Sequence, residues 1–201
     1  MKIGLILECT HDGPDQRVCE YLAGRLRPNI EVVSVTLRNK PNLIARCGDT
    51  AAQLLSEGCQ RIIIVWDLYP PWRHRGERPC RREDREEIFK SLGQAGVNLL
   101  KVHLVCIKEE LEAWLLADTR AISEAIFIMT GRRPRVTDIR DPESIRNPKA
   151  RLDNIFRQHT YRQYQGHNHA IKIIRELPDF NRIRRCQSFA RFALKATDTT
   201  L

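Results

Sequence analysis

Acidic side chains follow three separate apolar runs that are typical of buried strands. In a parallel sheet the carboxyl ends of the strands meet at one edge, which is where ligands bind. Carboxylates gathered there repel one another unless a cation or a proton lies among them. Oxygen ligands without a matching His or Cys set favour Mg²⁺ or Mn²⁺. The pattern therefore predicts a divalent-metal site, whose ligands are Glu8, Asp67, Glu110 and Glu112.

Phosphodiester cleavage is the chemistry that such a site would serve, because a divalent ion stabilises both the attacking and the leaving oxygen. Glu8, Asp67 and Glu112 are the predicted catalytic residues. Asp12 and Asp15 are near enough to Glu8 in the chain to assist it, directly or through water. Each acid also has a simpler interpretation, since a carboxylate at the start of a helix or turn is locally favourable.

The elements that must position these acids alternate along the chain in the order β-α-β-α-β-α-β-α. This order predicts an α/β fold, Rossmann-like, with a mostly parallel sheet of about four strands flanked by helices. Asp15 is the expected N-cap of the first helix, and residues 109–118 are expected to form a single helix after the fourth strand. The predicted strands are Ile3–Leu7, Ile30–Leu37, Arg61–Trp66 and Val102–Cys106.

The distribution of charge divides the chain near residue 131. Residues 1–130 hold 18 Lys and Arg against 18 Asp and Glu, whereas residues 131–201 hold 16 against 7. We expect 1–130 to be the catalytic core and 131–201 to be a basic α-helical extension packed on it. A basic section of this kind indicates a nucleic-acid partner, although a basic surface with no partner has the same composition.

A connection longer than usual, rich in proline and arginine, follows the third predicted strand (LYPPWRHRGERPCRRE, residues 68–83). Long loops without helix or strand patterns are often functional. Arginine contacts to a phosphate backbone position a nucleic acid rather than read its sequence. The residues expected to make such contacts are Arg73, Arg75, Arg81 and Arg82, with Lys149 and Arg151 in the basic section.

Other features narrow the class of protein. The apolar runs are too short to span a membrane, and the N-terminus lacks the features of a signal peptide. Seven cysteines without a CxxC pair argue against a disulfide framework and a zinc ribbon, so reduced thiols in a cytoplasm are expected. The sequence lacks GxGxxG, GxxxxGK[ST] and GxSxG, which disfavours those nucleotide-binding and hydrolase motifs.

Several segments resemble a known family. The sequence is similar to domain of unknown function 4276, a Toprim-like bacterial family related to the Toprim domains of OLD-type nucleases. The segments that carry the resemblance are ILECTHDGPDQRVCEYL, RIIIVWD, CIKEELEAWLLAD, RNPKARL and RCQSFARFAL.

The resemblance implies a Toprim-like nuclease subunit, with an ABC/SMC-type ATPase as partner in anti-phage defence. Glu8 would be a metal ligand or general acid-base group, and Asp67 would be the first acid of a DxD motif. Glu110 and Glu112 would complete the metal site, supported by Asp118. The second acid of DxD is replaced by Tyr69, and Glu8 is followed by cysteine where glycine is usual.

Three hypotheses therefore remain open. The first is a Mg²⁺- or Mn²⁺-dependent nuclease acting on DNA or RNA. The second is a non-catalytic subunit that binds nucleic acid or an ATPase and has a degenerate metal site. The third is a metal-dependent phosphohydrolase of small phosphates, which leaves the basic section unexplained. The sequence does not exclude a homo-oligomer.

Overall fold

The computed structural model describes residues 1–71 and 79–197. The chain divides into two compact units, which are described in turn. The first consists of Met1–Ile107 together with the chain from Arg191 onward, and the second consists of Lys108–Ala190. The boundary predicted from charge, near residue 131, lies inside the second unit.

The first unit contains a four-stranded sheet in which all strands are parallel and the order is β2-β1-β3-β4. This confirms the predicted α/β class. β1 and β3 lie at the centre, and their apolar residues are buried because both faces of a central parallel strand are covered. The strands are β1 (Lys2–Leu7), β2 (Glu31–Thr36), β3 (Arg61–Asp67) and β4 (Val102–Ile107).

Three helices of the first unit connect these strands: α1 (Pro14–Leu26), α2 (Lys40–Ser56) and α3 (Arg81–Gln94). The prediction that Asp15 caps α1 was wrong, because the N-cap is Gly13 and Asp15 lies in the first turn. Pro14 starts the helix two residues earlier than predicted, since its fixed φ suits the first helical position. α2 begins after Asn39, whose side chain accepts a hydrogen bond from the Asn42 amide at 2.9 Å.

The core between the sheet and the helices α2 and α3 fixes these helices against the central strands. Its buried side chains include Ile64 and Trp66 of β3, Leu43 of α2 and Ile88 of α3. Gly48 of α2 donates its amide to Ser91 Oγ of α3 at 3.1 Å, which a larger residue would prevent. Close packing here sets the positions of the first residues of both helices.

The second unit is helical in its described elements. The single helix predicted over residues 109–118 was wrong: the chain turns at Glu109, whose φ is +68°, and Asp118 caps a separate helix. A positive φ interrupts a right-handed helix, so α4 is short. The helices are α4 (Glu112–Leu116), α5 (Thr119–Thr130), α6 (Pro148–Thr160), α7 (Gly166–Arg175) and α8 (Gln187–Thr197), the last of which crosses the unit boundary at residue 190.

Buried aromatic and polar contacts hold the second unit together. The Trp114 indole packs edge-on against Phe189, with ring centroids 5.5 Å apart, and donates to Ser188 Oγ at 2.7 Å. Glu143 is buried and accepts the Gln187 and Ser188 amides at the start of α8. Over the described ranges, no helix is both long and apolar enough to cross a lipid bilayer.

Candidate metal centre

The site is built at the carboxyl ends of the two central strands. Glu8 directly follows β1, and Asp67 is the last residue of β3. β1 and β3 are neighbours in register, with Leu7 opposite Val65. The chain goes from β1 outward to β2 and then returns to β3 on the other side, so the strand order reverses between β1 and β3. Such a switch point leaves a crevice at the carboxyl edge, where α/β proteins bind ligands.

One oxygen of the half-buried Glu8 carboxyl group is withdrawn from solvent. This atom, Oε2, exposes less than 1 Å² and has no hydrogen-bond partner among the described residues. The main-chain N–H of Asp67 donates to this carboxyl group, which ties it to the end of β3. Burial raises the pKa of Glu8 to about 8, while the positive charge of Lys40 acts against this rise and the carboxylates of Asp15 and Asp84 add to it.

A buried cation that the sequence analysis missed lies beside these acids. Lys40, the first residue of α2, is only 4% exposed. Its Nζ donates to the carbonyl oxygens of Leu68 and Pro70, both at 2.8 Å, and lies 3.8 Å from Asp84 Oδ2. Asp84 also accepts from Trp66 Nε1 at 3.0 Å. The ammonium group therefore joins α2, α3 and the segment after β3.

One sequence signal could have identified Lys40. A cation at the N-terminus of a helix is unfavourable, because the helix dipole places positive charge there. A lysine at the first position of α2, directly after the N-cap Asn39, therefore needs another source of stabilisation.

The acids predicted to assist Glu8 differ in their surroundings. Asp15 lies in the first turn of α1 and influences Glu8 electrostatically. Asp12 is exposed, donates its amide to Gln16 Oε1 at 2.8 Å, and has its carboxylate 3.7 Å from Arg17 Nε. Asp15 is therefore the better placed of the two.

The remaining predicted acids belong to the second unit. Glu110 Oε2 accepts the Lys149 amide in the first turn of α6 at 3.4 Å, and Glu112 is the first residue of α4 and 6% exposed. Asp118 is fully buried, caps α5 through the Arg120 amide at 3.0 Å and pairs with the Arg120 guanidinium at 2.6 Å. Helix capping thus accounts for Asp118 without a metal, whereas metal binding by Glu110 and Glu112 stays a prediction.

The predicted phosphate-contacting residues are only partly within the described chain. Arg73 and Arg75 lie outside the described residues. Arg81 and Arg82 are exposed in the first turn of α3, where Arg82 Nε lies 2.8 Å from Glu86 Oε1. The two basic residues predicted in the last third, Lys149 and Arg151, are exposed on α6.

Within residues 1–71 and 79–197, no three or more His, Cys, Asp or Glu side chains form a group that could hold a metal ion by themselves. Mg²⁺ does not require such a group, because it keeps several waters and is usually bound by one or two carboxylates together with substrate phosphates. The buried carboxyl oxygen of Glu8 next to Asp67 fits that mode of binding. It does not fit zinc, which takes four protein ligands in structural sites and three in catalytic ones.

Cysteine chemistry is not favoured beside these acids. All seven cysteines are free. Burial raises the pKa of the Cys9 thiol to about 12, and the carboxylate of Asp15 adds to the effect. A nucleophilic cysteine needs a lowered pKa, so Cys9 stays a thiol at neutral pH.

Fold and site together define an α/β protein with carboxylates at the switch point of a parallel sheet. The chain belongs to the family described as Domain of unknown function (DUF4276), which matches residues 24–195. The match covers Asp67, Glu110 and Glu112 and begins after Glu8. The searches of curated proteins and of solved structures found no match.

Proposed function

We propose that the protein is a divalent-metal-dependent phosphodiesterase, a nuclease that cleaves DNA or RNA. The observation that carries the proposal is the half-buried Glu8 at the switch point of the sheet, whose buried Oε2 lacks a hydrogen-bond partner among the described residues and whose carboxyl group accepts the Asp67 amide. Burying a carboxyl oxygen without a hydrogen-bond partner is costly. A bound Mg²⁺ or Mn²⁺ ion would remove that cost.

Glu8 and Asp67 would hold the ion, and water and substrate phosphate would supply further ligands. The ion, when bound, would stabilise the charge on the attacking and leaving oxygens of the phosphodiester. Glu110 and Glu112 are proposed as additional ligands from the sequence alone. The resemblance of these acidic segments to Toprim nuclease motifs supports the same assignment, and from it we also propose an ATPase partner and a cytoplasmic location.

Arginines at the start of α3 would position the phosphate backbone. Arg81, Arg82 and Arg85 line a surface depression of about 470 Å³ together with Glu86 and Phe89. α3 also carries the buried Asp84, which accepts from Trp66 of β3, so the helix that forms this depression contacts the strand that ends in Asp67. Phosphate contacts of this kind give affinity without base specificity.

A cleavage assay with Mn²⁺ on single- and double-stranded DNA and RNA tests the proposal. Glu8→Gln and Asp67→Asn keep the shape of each side chain and remove its charge. We expect each to lower the rate about 100-fold or more, the effect of losing one charge-stabilising group. Glu57→Gln, an exposed change where α2 ends, is the matched control and should leave the rate unchanged. Equal cleavage by all four proteins would reject the assignment.

A non-catalytic subunit that binds nucleic acid or an ATPase is the second candidate. Two observations favour it: Tyr69 stands where a second DxD acid is expected, and the described residues lack a three-ligand group. The two candidates differ in their need for an ion. A nuclease requires Mg²⁺ or Mn²⁺ bound through Glu8 and Asp67, whereas a pure docking subunit binds its partner equally well in EDTA.

A further inference from the structure

Lys40 is a buried charged residue that neither the predicted metal chemistry nor the phosphate contacts use. A lysine is seldom buried unless its charge is compensated, and here the compensation comes from Asp84 and two main-chain carbonyl groups. Two of the three ammonium donors are taken by the Leu68 and Pro70 carbonyl oxygens, and Lys40 is only 4% exposed. Its donors are therefore used within the protein rather than offered to a phosphate at the surface.

The two carbonyl groups belong to the segment that directly follows Asp67. That segment is also bonded to the edge strand, because the Leu68 amide donates to the Ile107 carbonyl of β4 at 2.9 Å. Lys40 thus fixes the chain on one side and β4 fixes it on the other. Asp67 precedes this anchored segment, so the orientation of its carboxylate depends on both attachments.

We propose that Lys40 is a positioning residue of the candidate metal centre, which acts by anchoring Leu68–Pro70 and thereby holding Asp67 next to Glu8. The part of this inference that concerns metal binding rests on the proposed function. The anchoring of Leu68–Pro70 by Lys40 is measured without metal. Asp84 supports Lys40 from α3 and is held in place by the Trp66 indole. The anchor therefore depends on the contact between α2 and α3.

Hydrogen exchange and Mn²⁺ calorimetry on the full chain separate anchoring from metal binding. In Lys40→Met we expect exchange at the Leu68 amide, which donates to the Ile107 carbonyl, to accelerate about tenfold or more, because the Lys40 bonds that restrain the segment are lost. Protection in β1 and β3 should be retained. Lys90→Met, the same change at an exposed position of α3, is the control and should alter neither region.

The change in Mn²⁺ affinity caused by Lys40→Met distinguishes two effects, because loss of charge and loss of positioning act in opposite directions. Removing a positive charge near carboxylates would by itself strengthen cation binding. Loss of positioning has the opposite effect and should weaken binding about 10- to 100-fold, as for other groups that orient metal ligands. Weaker binding by Lys40→Met therefore supports the inference, and equal or tighter binding overturns it.

The outcomes distinguish the inference from the proposed function. Unchanged exchange at the Leu68 amide in a folded Lys40→Met protein overturns the inference whatever the metal result. Absence of Mn²⁺ binding by the wild type overturns the proposed function and the role of Lys40 in positioning a metal ligand. Hydrogen exchange then still tests whether Lys40 anchors Leu68–Pro70. If Lys40→Met does not fold, Lys40→Met/Asp84→Asn removes both charges of the buried pair and keeps an acceptor for Trp66.

Discussion

At the scale of single residues, the candidate site combines one strongly desolvated acid with one buried base. Glu8 has a buried carboxyl oxygen with no hydrogen-bond partner among the described residues, and Lys40 has its charge compensated by Asp84 and main-chain carbonyls. Lys40 opposes the rise in the pKa of Glu8 but does not cancel it. The folded protein without metal therefore keeps Glu8 protonated near neutral pH.

Stability should depend on pH through Glu8. The pKa of Glu8 is about 8 in the folded protein and has an ordinary value of 4.5. Between these values the folded state binds a proton that the unfolded state has lost, so the free energy of unfolding falls as pH rises. The contribution of one group is at most about 1.4 kcal/mol per pH unit. Urea unfolding in EDTA at several pH values from 5 to 8.5 measures it.

Glu8→Gln removes the titrating group and should therefore weaken the dependence of the free energy of unfolding on pH between about 5 and 8. The variant then gains stability relative to wild type as pH rises. Glu57→Gln, which changes an exposed carboxylate, should follow the wild type. Parallel profiles for wild type and Glu8→Gln would show that Glu8 titrates normally in the folded protein.

At the scale of elements, the contact between α2 and α3 positions the buried charges. Gly48 lets the two helices approach, since a Cβ there would lie 2.1 Å from the Ser91 carbonyl oxygen. The helices carry Lys40 at the start of one and Asp84 in the first turn of the other. A shift between them would alter the ion pair and the anchored segment after β3.

Gly48→Ala should destabilise the protein by about 1–3 kcal/mol, because the new methyl group forces the main chain of α3 to move. Gly93→Ala is the matched control in α3, since a Cβ at Gly93 meets no described atom within 4 Å. This control should be neutral or stabilise by up to about 1 kcal/mol, because alanine favours helix over glycine. Thermal unfolding of both variants measures the difference, and equal melting temperatures would contradict the packing argument.

At the scale of the whole molecule, the sequence predicted the order of strands and helices but not the turn of the chain directly after β4. Alternating apolar runs were sufficient for the four parallel strands, because buried strands such as Arg61–Asp67 have a strong local pattern. The segment after β4 was predicted as one helix, since its leucines have helical spacing. The spacing of apolar residues does not reveal the positive φ of Glu109, nor the local cap that Asp118 makes to the Arg120 amide.

The candidate site was also predictable only in part. Acids at strand ends can be read from the sequence once the strands are placed, which is how Glu8 and Asp67 were found. Lys40 was missed because its partners are main-chain carbonyls of Leu68 and Pro70 and a carboxylate 44 residues away, at Asp84. Contacts between residues that are far apart in the chain leave no periodic pattern in the sequence from which they could be predicted.

Calorimetric titration with Mn²⁺ tests the central claim most directly. The claim is that Glu8 and Asp67 together hold a divalent ion at the switch point of the sheet. We predict saturable binding of Mn²⁺ by the wild type and by Glu57→Gln, and affinity weakened at least about tenfold in Glu8→Gln and in Asp67→Asn. Binding of equal affinity in all four proteins, or no saturable binding in any, would contradict the claim.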